Sequence, residues 1–300
     1  MDLISQLLYT FHLNARVSVR AQFCGRWNLD HETTGQASFH LVASGQCWLH
    51  RYDGGEPMAL GAGDLLILPR DAPHVLSDSA VRGDAPPPEF LPLDDEREDG
   101  AGVVCGHFRF EQGGSNPLLD ALPDYLLIHT STAVGGSALR GIAELLVDEA
   151  RSGAPGFEAV VDRLSDALFI KALRWYLDNN RDQPGLAAAV SDPAIHHALQ
   201  LIHDSPQTAW TVALLARAVA MSRTAFVARF GALMGEPPMT YVNRWRMLLA
   251  YRWLREGETV AAVAEHCGYA TEAGFSKAFT RHYGLGPGAV RRAHRAAVTA

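Results

Sequence analysis

Cysteine is scarce and long apolar runs are missing. Only Cys24, Cys47, Cys105 and Cys267 occur among 300 residues. No stretch holds eighteen apolar residues in succession, so no membrane-spanning helix is expected. The opening MDLISQLLYTFHLN has an acid at its second position and no basic segment ahead of its apolar residues, unlike a secretory signal. The expected location is cytoplasmic, where thiols are reduced, metal-bound or redox-responsive rather than paired in structural disulfides.

A negative total also hides a positive part. The formal charge is −7, yet residues 193–300 hold twelve Lys/Arg against six Asp/Glu, and the preceding 192 residues hold fourteen against twenty-seven. A basic C-terminal module joined to an acidic N-terminal one points to a polyanion partner for the C-terminal part alone.

That part contains a repeat. In TVAAVAEHCGYATEAGFSKAFTRHYGLGPGAVRR, Val260, Val263, Ala264 and Cys267 fall at helical spacing. Gly268 ends that helix, Thr271 caps the next, and Phe275 and Phe279 stand four apart on its buried side. Residues 211–233 repeat the pattern: Thr211-Val212-Ala213 matches Thr259-Val260-Ala261, and Phe226/Phe230 matches Phe275/Phe279. A long amphipathic segment, PMTYVNRWRMLLAYRWLREG, lies between the copies. Two short helices joined by a tight turn are a helix-turn-helix candidate whose second helix enters the major groove.

These residues resemble the AraC/XylS family of transcription regulators. The matching positions are Trp210-Thr211-Val212, Met221-Ser222-Arg223, Gly268-Tyr269-Ala270, Phe275-Ser276-Lys277-Ala278-Phe279, and Gly284 with Pro287. Ala228 stands where an arginine is common, Gly274 weakens the second reading helix, and Val290 replaces a common tyrosine. The open face of the first reading helix offers Arg223, Thr224, Val227 and Ala228. That of the second offers Glu272, Ala273, Ser276 and Lys277, with Arg281 near its end. Val227 and Ala228 can touch a thymine methyl, Glu272 can accept from a cytosine amino group, and Lys277 can reach guanine or phosphate. Arg281, Arg244 and Arg246 are read as phosphate or core-edge contacts.

The N-terminal half changes period. After an amphipathic helix over residues 1–14, VSVRAQFCGRW, SFHLVASGQCWLHRY, GDLLILP and GVVCGHFRF read as short strands with glycine turns, the pattern of a small antiparallel barrel or jelly roll. Gly63–His74, GDLLILPRDAPH, resembles the second motif of the cupin family, with Asp71 in place of the usual glycine. The first motif is partial: His40 fits its first histidine, Val42 stands at the second, and the glutamate has no counterpart. An incomplete ligand set argues against catalysis, since a catalytic zinc keeps three protein ligands and an open position. Members of the AraC/XylS family often carry such a barrel as sensor.

Within the barrel, Cys24, His40, His74 and Cys105 are the expected zinc ligands. Cys24 with Arg26 nearby, and Cys105 with His107, are the expected redox thiols, because a neighbouring cation favours thiolate. The sensor half resembles a subgroup that includes regulators responding to reactive chlorine. Alternatively, Trp27, Phe39, Trp48 and Phe108 line an apolar pocket for a small organic effector. Residues 79–101 read as a solvated acidic loop, and residues 137–152 and 156–180 as two helices, the second a dimerisation helix.

The expected architecture is α+β in two domains. A cupin-like sensor barrel covers 1–136, connecting or dimerisation helices 137–182, a linker 183–192, and a double helix-turn-helix DNA-binding domain 193–300. The expected partners are double-stranded DNA, a second copy of the chain, an effector or oxidant, and RNA polymerase if transcription is activated. The competing reading is a cupin metalloenzyme with an accessory helical domain.

Overall fold

The computed structural model describes residues 2–298 apart from 32, 96–99, 111–115 and 134, with side chains as far as residue 293. Its helices are α1 (Leu3–Phe11), α2 (Pro117–Asp120), α3 (Ser137–Ser152), α4 (Phe157–Asn179), α5 (Leu186–Ser191), α6 (Pro193–Asp204), α7 (Val212–Ala218), α8 (Arg223–Met234), α9 (Pro238–Arg255), α10 (Val260–His266), α11 (Glu272–Tyr283) and α12 (Pro287–Val298). Its strands are β1 (Asn14–Phe23), β2 (Asn28–Asp30), β3 (Ala37–Ser44), β4 (Gln46–Arg51), β5 (Met58–Gly61), β6 (Asp64–Leu68), β7 (His74–Ser77), β8 (Ala101–Arg109) and β9 (Leu126–His129). Among the described residues no helix is long and apolar enough to cross a membrane.

The chain divides into two compact units. One comprises Leu13–Phe110 and Leu122–Tyr176; the other comprises Met1–His12, Glu111–Ala121 and Leu177–Ala300. Helix α1 therefore groups with the C-terminal helices, where it packs on α6 and Gln6 donates to the Asp204 carboxylate.

The first unit is two antiparallel sheets, β1-β8-β3-β6-β9 and β2-β7-β4-β5. The segment from Ser38 to Tyr52 forms two strands, β3 and β4, divided at Gly45, where the chain passes from one sheet to the other. The φ of Gly45 is +69°, and an added Cβ would lie 2.0 Å from the Gly100 carbonyl oxygen. Between the sheets Phe23, Trp27, Val42, Leu49, Leu66, Leu76 and Val103 form the core. The outer face of the larger sheet is covered as well. Phe39 stacks on Phe108 at 4.7 Å, and Phe108 meets Phe169 of α4 at 4.6 Å. Strand β1 is an edge, and α4 occupies its free amides: Asp166 accepts from Ala15 N–H at 2.6 Å and Asp162 from Val17 N–H at 3.1 Å. A covered edge cannot pair with another chain.

The loop read over 79–101 is less detached than expected. Gln22 exchanges backbone hydrogen bonds with Leu91, Phe90 meets Phe23 edge-on, and Leu93 is buried; residues 96–99 lie outside the described part. In α4 the buried side is Val161, Ser165, Leu168, Phe169, Ala172, Leu173 and Leu177, while Leu164, Ile170 and Trp175 are half-buried.

In the second unit both repeats form helix, turn, helix. Thr211, Ser222, Thr259 and Thr271 each accept a backbone N–H three residues ahead, capping α7, α8, α10 and α11. Phe226 and Phe230, like Phe275 and Phe279, are fully buried.

Candidate DNA interface and sensor cavity

The two turns are built alike. Met221 N–H donates to Ala216 and Tyr269 N–H to Ala264, each at 2.9 Å across the turn. Both turns need one left-handed residue, Ala220 at φ +55° and Gly268 at φ +72°. With the phenylalanine pairs turned inward, Arg223, Thr224, Val227 and Ala228 of α8 are exposed. On α11, Glu272, Ala273, Lys277 and Arg281 are exposed and Ser276 half-buried. Each set shares one outer face.

Several basic groups have structural work instead. Arg246 is only 8% exposed and donates to the carbonyls of Pro206 at 2.9 Å and Thr208 at 2.7 Å. It braces the segment between α6 and α7, so the phosphate alternative for Arg246 gives way to a core role. Arg244 pairs with Glu236 at 2.6 Å. Arg229 donates to Asp192 at 2.6 Å while that carboxylate also caps α6.

In the barrel, strand register decides which side chains meet. His40 lies directly across from Cys105 on β8, and Val19 of β1 flanks Cys105 on its other side. A cavity of about 190 Å³ opens there, lined by Ser18, Leu29, His31, His40, His74 and Cys105 among others. Two of the expected metal ligands, His40 and His74, come together, with Nε2 atoms 2.7 Å apart. The histidine that joins them is His31, which sequence reading missed. One ring nitrogen from each of the three lies within 4.8 Å of the others. Asp71, which replaces the motif glycine, holds it: His31 Nε2–H donates to Asp71 Oδ1 at 2.6 Å. The same carboxylate accepts from the backbone of Thr34 and Gly35.

Burial lowers the pKa of His74 to about 4. Burial and the neighbouring His74, His31 and His107 hold His40 well below its usual range. Both rings are neutral at pH 7. For Asp71, burial raises the pKa, but the hydrogen bonds from His31, Thr34 and Gly35 outweigh it and keep the carboxylate ionised.

Cys24 and Cys105 do not form a pair. Phe23, the last residue of β1, is opposite Ala101, so Cys24 lies beyond the β1 end while Cys105 is four residues up β8. At ~3.3 Å per residue the two are more than about 10 Å apart, beyond disulfide reach. The Cys105 thiol is also pushed up by burial, which corrects the expectation of a thiolate helped by His107. Cys24 is half-buried.

The four aromatic residues do not line one pocket either. Trp27 is in the core between the sheets, whereas Phe39 and Phe108 point to the opposite face, toward α4. Trp48 alternates with the buried Cys47 and Leu49 on β4 and is half-buried. None of the four lines the histidine cavity.

Residues 2–178 match the cupin family model and residues 215–293 a helix-turn-helix domain model. A Haemophilus influenzae protein described as an uncharacterized HTH-type transcriptional regulator is 30% identical, covering 97% of this chain and 99% of its own. A putative AraC-like transcription regulator of Streptomyces antibioticus is 31% identical over 97% of this chain and 99% of its own. The RCS-specific HTH-type transcriptional activator RclR of Escherichia coli is 28% identical over 97% of each chain. These are regulators with a DNA-binding domain, and the metalloenzyme alternative falls. With the cupin match spanning more than half its length and such relatives along nearly all of it, the chain belongs to the AraC-like, helix-turn-helix transcription regulators.

Proposed function

We propose that α8 and α11 enter adjacent major-groove segments of one operator, about one helical turn (~34 Å) apart, and that a signal received in the barrel cavity shifts this binding. The observation supporting the reading is that two like-built units each leave the outer face of the second helix exposed. Val227 and Ala228 favour thymine methyls, and Thr224 and Arg223 reach the neighbouring backbone. On the other helix Glu272 accepts from cytosine, Lys277 donates to guanine or phosphate, Arg281 meets phosphate, and Ala273 and Ser276 permit close approach. The protein acts in the cytoplasm as a homodimer, with RNA polymerase as partner if it activates. Exposed Leu145 on α3 and Val160 on α4 are apolar groups such a dimer could cover. Bias between two states of ~1–3 kcal/mol suffices for control. The signal is a metal ion, a small effector or an oxidant. The RclR name brings in the last, and half-buried Cys24 is the thiol it would meet first.

The test is footprinting with salt titration on the full chain. Two protected segments one helical turn apart, with affinity falling linearly in log salt, are expected. A single protected segment, or affinity indifferent to salt, overturns the reading.

A further inference from the structure

The histidine cluster contributes nothing to DNA reading, yet two of its three rings are fixed through their far nitrogen, and the third, His40, meets His74 through Nε2 with its buried Nδ1 unpartnered. His40 comes from the middle of β3, His74 from the first residue of β7, and His31 from the connection after β2. His74 Nδ1–H donates to the Ala72 carbonyl at 2.8 Å, which leaves Nε2 with its lone pair. His31 Nε2–H is held by Asp71, which leaves Nδ1. This is the outer arrangement found around metal-ligating histidines, where the far nitrogen is fixed by a carboxylate or carbonyl and the near one faces the ion. Asp71 is 1% exposed and sits in a left-handed conformation at φ +53°, a strained position for a non-glycine residue. Besides His31 it binds Thr34 and Gly35, so it ties the His31 connection to the turn before His74.

We propose that His31, His40 and His74 form a three-histidine site for a borderline divalent transition-metal ion such as zinc, with Asp71 as the positioning residue for His31 and a fourth position facing the cavity. Only the purpose of binding rests on the sensor reading above; the binding does not. The set departs from the two cupin motifs, in which Val42 stands at the second histidine and the glutamate is missing. His31, outside both motifs, supplies the third nitrogen. It departs equally from the sequence-derived set: Cys24 is not in the cluster, and Cys105 lines the cavity without being one of the three. Three imidazoles and no ligating carboxylate suit zinc, cobalt, nickel or copper rather than the oxygen-seeking calcium and magnesium. The 2.7 Å between the His40 and His74 Nε2 atoms is a hydrogen bond. Two nitrogens on one tetrahedral zinc stand ~3.3 Å apart, from bonds of ~2.0–2.1 Å. Binding therefore requires the shared proton to leave the Nε2–Nε2 bond for His40 Nδ1, a buried nitrogen with no other partner, and the two rings to part by roughly half an ångström.

The experiment uses the full chain stripped with a chelator, with cobalt(II) absorption and zinc equilibrium dialysis as readouts. Wild type is expected to take one ion per chain, with visible cobalt bands of a nitrogen-rich site and no intense thiolate band near the ultraviolet. His31→Gln and His74→Ala should weaken binding at least tenfold. Asp71→Asn should keep the stoichiometry and weaken binding ~10–100-fold. Cys24→Ser and Cys105→Ser should leave the spectrum unchanged. Absence of zinc or cobalt binding by wild type, or unchanged binding by His31→Gln, overturns the proposal. So does a thiolate band that disappears in Cys105→Ser. Circular dichroism of the stripped variants separates lost ligands from lost fold; if Asp71→Asn unfolds, His31→Gln alone decides. Operator binding is measured on the same samples, so a chain that binds DNA but no metal refutes the site and leaves the regulator reading standing. One that binds metal but no DNA does the reverse.

Discussion

Replacing Gly268 by alanine and Ala220 by glycine exchanges the residues at the left-handed position of two turns that share one hydrogen-bond pattern, and the two changes should have opposite signs. At Gly268 an added Cβ would lie 2.5 Å from the Gln207 carbonyl oxygen and 3.0 Å from its carbon. That carbonyl cannot retreat easily, because Arg246 holds Pro206 and Thr208 on either side of it. The left-handed conformation costs a side chain about 1–2 kcal/mol, and forcing atoms into a filled space adds about 1–3 kcal/mol. Gly268→Ala should therefore destabilise by roughly 2–5 kcal/mol. Ala220 already bears the conformational cost at φ +55°. Ala220→Gly removes it but adds about 0.5–1 kcal/mol of unfolded-chain entropy, for a net gain of roughly 0.5 kcal/mol. Thermal melts followed by far-UV circular dichroism, with operator affinity measured below the transition, read both. Equal shifts for the two variants, or a Gly268→Ala chain as stable and as tight on DNA as wild type, would refute the account of the turns.

Lys277→Ala should weaken operator binding by about 1–3 kcal/mol if it meets a base; a loss uniform across operator sequences would make it a phosphate contact, and no loss would remove it from the interface. His203 is buried against Trp245 at 3.8 Å, hydrogen-bonded to Tyr241 at 2.7 Å, and lowered to about 3 by burial and then by Arg244. Below its ordinary ~6.5 the unfolded chain binds a proton that the folded chain refuses, so stability should fall as pH drops from 7 to 5, by about 2 kcal/mol. Denaturation of His203→Phe should lack that part of the slope, and an identical slope would remove His203 as its source. An alkylating reagent at neutral pH should label Cys24 before Cys47, Cys105 and Cys267, all buried, as peptide mapping would read; Cys105 labelled first would restore it as the reactive thiol.

The helical half was legible because its signals are local. Caps, the inward phenylalanine pairs and the chain reversals all sit within a few residues of each other, and the repeat displays them twice. In the barrel, the longer strands β1, β3, β4, β6 and β8 came through, as did the glycine, proline and histidine spacing of 63–74. Strands β2, β5, β7 and β9 are three or four residues long, too short to show a period. The aromatic pocket failed for a related reason. Strand β3 is buried on both faces from Ala37 to Val42, so inward His40 and outward Phe39 look equally internal in sequence. A sheet covered on both sides loses the alternation that reveals which face a residue takes. His31 carried no spacing signal at all. The one hint was Asp71 at a glycine position, an acidic group in a buried turn that requires a partner.

The charge asymmetry pointed to DNA correctly but overstates how much charge meets it. Of the twelve basic residues in 193–300, Arg229, Arg244 and Arg252 are paired with Asp192, Glu236 and Glu256, and Arg246 is spent on two carbonyls. These ties fix the helices relative to the turns, which is what places the reading faces. Twelve phosphate contacts would give a log–log salt slope of about −11, and this domain should fall well short of it. The difference matters for specificity. Non-specific affinity comes almost wholly from phosphate contacts, so a domain that commits a third of its basic groups to its own architecture binds random DNA less tightly. More of the discrimination then falls to what α8 and α11 present to the bases. On the proposed reading α8 presents mostly methyl groups, so the first half of the operator should depend on shape and thymine placement, and the polar reading should fall to Glu272 and Lys277.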